Sequence, residues 1–294
     1  MNAATEFPAD LRHAVTQLKN EGIVVSATLL PEVASTNSWA MERLKLSAAE
    51  GANRATDIPL GLDQLPHLVI AGKQTAGRGR QGRSWLSSDD SLTFSLVLPN
   101  ASLLLPIAVG VAITSALESS VEQPIGIKWP NDIVIQSATD GVWRKAAGVL
   151  IETVQTQARE TTSDGGVVLG VGVNLNRCPR DLPNGGLAAT SLSAASKRLE
   201  PLDRAEILVQ LVTCILDLAS GLPWQTHSVL EAFRKRCVLT GHAVRVQRVP
   251  GSGADELTGC CQGIDSEGNL TVSTPEGDHT IASGEVLRTR WSVG

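Results

Sequence analysis

Three consecutive strand patterns between residues 126 and 176 constrain the fold of this chain more than any other feature. They cover residues 126–135, 144–152 and 167–176, are rich in valine and isoleucine, and are separated by polar turns. Strands that follow one another through polar turns form largely antiparallel meanders. A further apolar strand pattern lies at 92–98, and helical patterns lie at 10–22, 38–46, 103–122, 204–219 and 229–236. An α+β fold, with helices flanking a sheet, is therefore expected.

The C-terminal residues follow a different pattern. Residues 239–286 contain short alternating strand patterns with glycine-containing turns, which is typical of a small β-barrel. We therefore predict two domains, a larger one over residues 1–236 and a smaller one over residues 237–294. Residues 47–66 are rich in glycine, asparagine, aspartate, proline and alanine and lack periodicity, so they are expected to form a long surface loop.

Composition narrows the class of protein. The chain is 42% hydrophobic, as expected of a globular protein with a packed core. No window approaches the ~18 uninterrupted apolar residues of a membrane helix, and the first residues lack the layout of a signal peptide. The five cysteines show neither CxxC nor histidine-paired spacing, so we expect reduced thiols rather than disulfides or a zinc site. A cytoplasmic protein with no membrane partner is predicted.

The glycine/arginine segment, residues 76–85 with the sequence AGRGRQGRSW, follows an apolar strand pattern at 68–71. Glycine lets the main chain approach a ligand closely, and the arginine fork matches phosphate or carboxylate oxygens. This local positive charge runs against the net charge of −5 for the whole chain. The segment is therefore a mobile anion clamp, a solvated basic loop or an RGG-like RNA-binding segment.

Two further polar clusters and three glycines suggest a binding site. Residues 35–37 (Ser-Thr-Asn) precede a helical pattern, so they could cap that helix or bind a polar ligand group. Residues 128–132 (KWPND) interrupt a strand pattern with a proline, which indicates a turn or a site where Lys128, Asn131 and Asp132 meet a phosphate and its Mg²⁺. Glycines within the strand patterns, at 148, 170 and 172, indicate either bulges or close approach of a ligand.

Taken in order, these motifs resemble the biotin protein ligases. The resemblance rests on residues 35–37, 77–85, 128–132, 144–148 and 170–174, with a further match at 189–192, and spans residues of about 30 to 195. It is to the short form of the family, without an N-terminal DNA-binding domain. The resemblance implies a class II synthetase-like mixed sheet in a catalytic, biotin- and ATP-binding domain (1–236), followed by an SH3-like β domain (237–294).

The resemblance also implies a reaction and a set of residues. The family activates biotin with MgATP to biotinyl-5'-AMP, releasing pyrophosphate, and transfers biotin to a lysine of a biotin carboxyl carrier domain. The implied catalytic residues are Lys145, Arg80 and Arg78. The implied biotin site comprises Ser35, Thr36, Asn37, Gln74, Gly77, Arg78, Arg80, Lys145 and Gly148. The implied nucleotide site comprises Arg80, Arg83, Trp85, Lys128, Asn131, Asp132, Lys145 and Asn174, with Asp132 as a magnesium ligand.

Several alternatives stay open at this point. Trp85 and Trp129 could be core aromatics, and Asn174 could be a satisfied buried amide. Lys145 is expected to lack a partner beside an apolar strand until an anion arrives. The partner is expected to be the carrier domain of acetyl-CoA carboxylase or a related carboxylase, with no nucleic acid, and the protein is expected to be a monomer or homodimer. Lipoate or octanoate transfer and a nucleic-acid-binding module are the alternative functions.

Overall fold

A seven-stranded mixed sheet forms the centre of the larger domain. The computed structural model describes residues 6–48, 60–88, 90–99, 102–154, 166–179, 187–196, 200–248 and 256–289. The helices are α1 (Ala9–Asn20), α2 (Thr36–Ala48), α3 (Leu105–Leu117) and α4 (Arg204–Arg236). The strands up to residue 174 are β1 (Ser26–Val33), β2 (His67–Gln74), β3 (Gly77–Arg78), β4 (Ser84–Trp85), β5 (Ser91–Leu98), β6 (Ile125–Lys128), β7 (Asp132–Gln136), β8 (Trp143–Val154) and β9 (Gly166–Asn174).

The order of strands in the large sheet is β1-β2-β5-β9-β8-β7-β6. Only β1 and β2 pair in parallel; the other neighbours are antiparallel, including the expected meander β7-β8-β9. The central strands β5 and β9 are buried along their whole length. Burial on both faces permits the near-continuous apolar sequence of β9, whereas β5 alternates serine or threonine with apolar residues up to Leu96.

Helices cover both faces of this sheet. One face packs on α1, α3 and α4, with Phe94 and Leu169 among the buried residues. The other face packs on α2, where Ala40 and Leu44 meet residues such as Val97 and Val168. Adjacent residues of one strand thus enter opposite cores, as the period of a strand requires.

The C-terminal domain is a separate five-stranded antiparallel sheet. Its strands are β10 (Ala243–Arg248), β11 (Glu256–Ile264), β12 (Leu270–Thr274), β13 (Gly277–Ile281) and β14 (Gly284–Thr289), in the order β13-β12-β11-β10-β14. Two hydrogen bonds tie it to the turn between β6 and β7: Trp129 Nε1 donates to the Gly268 carbonyl (3.1 Å), and Lys128 Nζ donates to the Val286 carbonyl (2.8 Å). This domain therefore lies against the same turn that carries the KWPND motif.

The expected fold class, a mixed sheet with flanking helices followed by a small β domain, is confirmed. The prediction of two helices at 204–219 and 229–236 is wrong, because α4 continues through Pro223 to Arg236. Proline inside a helix costs about 3 kcal/mol. Leu222, just before the proline, is buried, and the buried Val229 and Phe233 extend the apolar face beyond it, so packing outweighs the local preference.

The predicted surface loop 47–66 lies mainly outside the described residues, because residues 49–59 are not described. The polar turn 158–166, between the last two strand patterns of the meander, also lies mainly outside them. One segment of α4, Arg204–Leu222, is long and apolar enough to cross a membrane. Here it packs against α1 and α3 with Leu208, Leu211 and Val212 buried, which is the environment of a core helix. The boundary at residues 236/237 remains a prediction.

Candidate active site

One cavity of about 530 Å³ brings the predicted site residues together. It lies over β8 and β9, beside the N-terminus of α2 and β14 of the C-terminal domain. The predicted residues that line it are Ser35, Thr36, Asn37, Gln74, Arg78, Arg80, Arg83, Trp85, Lys128, Asn131, Asp132, Lys145, Gly148 and Asn174. Gly77 does not line it, but lies against Trp85: a Cβ at residue 77 would be 2.5 Å from the Trp85 carbonyl oxygen.

Glycines form the floor of the cavity. Gly148 and Gly172 are direct partners in the β8-β9 register. A Cβ at Gly172 would lie 2.4 Å from the Trp85 ring, and a Cβ at Gly170 would lie 2.2 Å from Asn37 Oδ1. Of the two interpretations of these glycines, close approach therefore applies, but the groups that approach are the side chains of Trp85 and Asn37.

The glycine/arginine segment folds as a small hairpin in which β3 pairs with β4. A 3-10 turn, Arg80–Gly82, connects the strands, and both Gln81 (φ 54°) and Gly82 (φ 73°) adopt the left-handed conformation. That conformation is accessible to glycine and strained for glutamine.

The three arginines of the hairpin differ in their partners. Arg78 forms a forked ion pair with Glu152 of β8, at 2.9 and 3.3 Å, and Arg83 forms an ion pair with Glu285 of β14. Within the described part of the chain, Arg80 has no carboxylate within 4.0 Å. Burial lowers the pKa of the Arg80 guanidinium, while the charges of Asp132 and Glu285 oppose that shift. Arg80 is therefore the arginine with unused capacity for an anion.

Asp132 is the centre of the cationic end of the cavity. Its carboxylate lies 2.5 Å from Lys145 Nζ and 3.9 Å from Lys128 Nζ. Burial by itself raises the pKa of Asp132, but Lys145, Lys128 and Arg80 together hold it below its usual value. Burial also lowers the pKa of Lys128, with the nearby Lys145 acting in the same direction and Asp132 against it. The expectation that Lys145 lacks a partner is wrong, because Asp132 supplies its counter-charge.

A buried hydrogen-bond network forms the other end. The Thr36 amide and hydroxyl both donate to Gln74 Oε1 (2.8 and 3.1 Å). Ser95 Oγ lies 2.6 Å from Asn37 Oδ1 and 2.7 Å from Thr36 Oγ1. Ser35 Oγ accepts from the Ser38 amide (3.4 Å), so residues 35–37 both cap α2 and line the cavity.

Two polar atoms in the wall of the cavity have no hydrogen-bond partner within the described residues. Trp85 Nε1 is a buried donor and Asn174 Oδ1 is a buried acceptor. The Lys145 ammonium lies 5.6 Å from the centroid of the Trp85 ring. An unsatisfied buried donor or acceptor costs free energy, so a ligand that offers one acceptor and one donor here would gain both.

The turn between β6 and β7 has a structural part. Trp129 is buried and bonded to Gly268, so it is a core aromatic, and the Trp129–Pro130 peptide is cis. Asn131 Nδ2 donates to the Val149 carbonyl (2.7 Å). Lys128 donates to the Val286 carbonyl. Asp132 is therefore the residue of this motif that pairs with Lys145, a cation outside it.

Sequence reasoning missed three polar residues of the site. Glu152 and Ser95 join the network at the Asn37 end, and Glu285 pairs with Arg83 from the C-terminal domain. Glu152 lies four residues after Gly148. Because side chains along a strand alternate between its two faces, both residues lie on the same face of β8, and this spacing could have identified Glu152 from the sequence. No local pattern singles out Glu285, because its position depends on the packing of the two domains.

Comparisons with known proteins identify the families that this chain resembles. Residues 52–174 match the Biotin/lipoate A/B protein ligase family, and residues 241–288 match the Biotin protein ligase C terminal domain. The chain is 31% identical over 229 residues to the bifunctional ligase/repressor BirA of Bacillus subtilis, covering 74% of this chain and 65% of that relative. It is 26% identical over 233 residues to the biotin–acetyl-CoA-carboxylase ligase of Mycobacterium tuberculosis, covering 76% of this chain and 79% of that relative.

Solved structures give the same result. The biotin protein ligase from Aquifex aeolicus in complex with biotin and ATP superposes with a TM-score of 0.65 and 27% sequence identity, covering 88% of this chain and 97% of that one. The chain spans about two thirds of the length of the Bacillus relative, so the comparison covers only that share of it.

Proposed function

This chain belongs to the biotin/lipoate A/B protein ligase family and carries the biotin protein ligase C-terminal domain, and we propose that it is an ATP-dependent biotin protein ligase. The observation that carries the proposal is one cavity, over strands β8 and β9, that is lined by a buried polar network at one end and a cluster of cations at the other. Along β9, Gly170 faces Asn37 and Gly172 faces Trp85, and the paired Gly148 of β8 is opposite Asp132 of β7.

The polar network suits a small ligand with an amide-like head group. Thr36 donates to Gln74, and Asn37 is bonded to Glu152 and Ser95, so the remaining donors and acceptors of these side chains have fixed directions. Fixed polar groups in a desolvated pocket reject ligands that cannot match them. We propose that this end binds biotin and that the Trp85 end binds the adenine nucleotide.

The cations suit the first chemical step. Biotin carboxylate attacks the α-phosphorus of ATP, a P–O bond forms, and pyrophosphate leaves, giving biotinyl-5'-AMP. Two anions must meet in this step, and preorganised cations lower the cost of bringing them together. We propose that Lys145 binds at the junction of carboxylate and phosphate, where Asp132 holds its ammonium, and that Arg80 closes over the adenylate.

Magnesium would accompany the nucleotide. Within the described residues, no group of three or more histidine, cysteine, aspartate or glutamate side chains could hold a metal ion. Asn174 Oδ1 is a free oxygen ligand of the type that Mg²⁺ prefers. That Asp132 binds magnesium remains a prediction. Its geometry does not favour this role, because its carboxylate already pairs with Lys128 and Lys145. When bound with the phosphates, Mg²⁺ would offset their negative charge.

In the second step a lysine amine of the carrier domain attacks the activated carbonyl, forming an amide, and AMP leaves. We propose a biotin carboxyl carrier domain of acetyl-CoA carboxylase or a related carboxylase as partner, with the reaction taking place in the cytoplasm. The catalytic domain would comprise residues 1–236.

Intact-mass spectrometry of a carrier domain tests the proposal. The carrier is incubated with this protein, MgATP and either biotin or lipoate. We expect one biotinyl group per carrier, dependent on ATP and lost in Lys145→Ala. Lys73→Ala is the matched control, because Lys73 lies at the surface and, among the residues that the structure describes, forms an ion pair with Glu32 alone, at 3.8 Å. Addition of lipoate instead would support the second candidate, which the breadth of the matched family favours. No addition of either would refute both.

A further inference from the structure

Glu152 of β8 connects three elements at the polar end of the cavity. Its Oε1 accepts from Arg78 of β3 (2.9 Å), and its Oε2 accepts from Arg78 (3.3 Å) and from Asn37 of α2 (3.0 Å). Arg78 also donates to Ser38 of α2 (3.2 Å). The carboxylate side chain is 20% exposed, whereas the Arg78 side chain is 47% exposed. Glu152 is thus the more enclosed partner, on a rigid central part of the sheet.

Glu152 and the Leu150 carbonyl together set the direction of the hydrogen bonds beyond Asn37. A carboxylate can only accept, so Asn37 must turn its NH₂ group towards Glu152 and the Leu150 carbonyl (3.2 Å). Asn37 Oδ1 then faces Ser95, which has a single proton and donates it to that oxygen. Both remaining neighbours of the Thr36 hydroxyl, Ser95 Oγ and Gln74 Oε1, are then acceptors for its proton. Thr36 Oγ1 therefore presents a lone pair, not a proton, to a ligand.

We propose that Glu152 is a positioning residue for ligand binding, which anchors the start of the glycine/arginine segment and fixes the donor and acceptor order at Asn37, Ser95 and Thr36. The inference rests on the proposed function only for the identity of the ligand. The same contacts give Arg78 a different role from Arg80. The Arg78 charge is neutralised by Glu152, so Arg78 holds the segment in place and is not a catalytic residue.

Glu152→Gln is the informative substitution because it keeps the shape and removes the charge. One accepting oxygen becomes an NH₂ group, which faces a donor on Arg78 or on Asn37. If it faces Asn37, two NH₂ groups meet, because the Leu150 carbonyl keeps the Asn37 NH₂ group on that side, so Asn37 loses the contact that holds it beside Ser95 and Thr36. The Arg78 side chain of this pair is 47% exposed, so water screens the charge that Glu152→Gln leaves without its counter-charge, and the variant is expected to fold and to unfold near the parent's temperature.

Binding of biotin alone, measured by calorimetry on the full chain, is the first arm. We expect Glu152→Gln to bind biotin about 10-fold more weakly. In the steady state we expect its KM for biotin to rise by a similar factor, with the KM for ATP and kcat changed less than 3-fold. Glu32→Gln is the matched control, since Glu32 pairs with Lys73 on the exposed edge of β1 and β2. A Glu152→Gln variant that binds biotin within 2-fold of the parent would overturn the inference.

Limited trypsin digestion without ligand is the second arm, and it does not depend on the identity of the ligand. We expect cleavage after Arg78 to be at least about 5-fold faster in Glu152→Gln than in the parent or in Glu32→Gln, read by mass spectrometry of the fragments. If the parent does not bind biotin, the proposed function fails while this arm still tests Glu152. Unchanged cleavage after Arg78 would show that Glu152 does not anchor the segment.

Discussion

Replacing Asp132 with asparagine removes the shared counter-charge of the cationic end while preserving the size of the side chain. Lys145, at 2.5 Å, and Lys128, at 3.9 Å, then lose the carboxylate between them, and Arg80 loses one of the two charges that oppose its desolvation. We expect the free energy of unfolding to fall in the ligand-free protein. We also expect an anionic ligand to restore part of the loss, because its phosphates can take the place of the carboxylate.

The magnitude follows from the burial of the three side chains. At 4 Å, and with the effective dielectric of a protein surface, one pair has a gross attraction of about 4 kcal/mol. Removing one member of a fully buried pair costs about 3–5 kcal/mol. Here Asp132, Lys128 and Lys145 have side-chain exposures of 18, 10 and 27%. Water therefore screens part of the loss, and we expect Asp132→Asn to lower the free energy of unfolding by about 2–3 kcal/mol.

Urea unfolding, with and without ATP in EDTA, measures the effect. Asp140→Asn is the matched control, because Asp140 pairs with Arg144, the residue before Lys145, but at an exposed turn. We expect that control to unfold close to the parent. We expect ATP without magnesium to raise the unfolding midpoint of Asp132→Asn more than that of the parent, because the variant has one negative charge fewer beside the phosphates.

A metal-ligand role for Asp132 gives the opposite result. In that case Asp132→Asn would bind magnesium-free ATP like the parent and would lose the additional affinity that Mg²⁺ confers. Parent-like stability of the ligand-free variant would refute the electrostatic reasoning itself, since it would mean that the two lysines do not need the carboxylate.

Three further substitutions test other parts of the structure. Burial lowers the pKa of His67 to about 4 from an ordinary 6.5, so the unfolded chain binds the extra proton between those values and stability rises with pH across that window. In the parent, we expect the free energy of unfolding, measured with urea, to rise by about 3 kcal/mol from pH 4 to 7. We expect His67→Gln to abolish this rise. Gly172→Ala places a Cβ 2.4 Å from the Trp85 ring; we expect altered tryptophan fluorescence and about 10-fold weaker ATP binding, and an unchanged spectrum would contradict the packing. For Arg80→Gly we expect release of the adenylate, measured as biotinylation of added amines, and no more release than in the parent would remove Arg80 from the closing role.

The sheet could be predicted from sequence because its strands are joined by polar turns and carry apolar runs. The continuous helix α4 could not, because Gly221 and Pro223 are local breakers whose effect is overcome only by packing against α3 and α1. Local sequence reports propensity, whereas the burial of α4 depends on packing against α1 and α3, which are distant in sequence.

The same distinction applies to the site. Motifs with unusual composition, such as residues 77–85 and 128–132, predicted positions that do line the cavity. The partners of those residues could not be predicted, because Glu152 and Glu285 are single acidic residues in ordinary strands. Lys145 shows the consequence: its chemistry suggested an unpaired cation, and only the β7-β8 pairing reveals that Asp132 is beside it.

Ion pairs hold the glycine/arginine segment at both ends and leave its centre free. Arg78 is held by Glu152 on the central sheet, and Arg83 is held by Glu285 on the C-terminal domain, so the two ends of the hairpin are anchored to different domains. Arg80, between them, has no carboxylate within 4.0 Å in the described part of the chain. A ligand that binds Arg80 therefore contacts a turn whose two ends are attached by ion pairs to two different domains. Any movement of the C-terminal domain that breaks the Arg83 pair would then release that end of the hairpin and leave the Arg78 end in place.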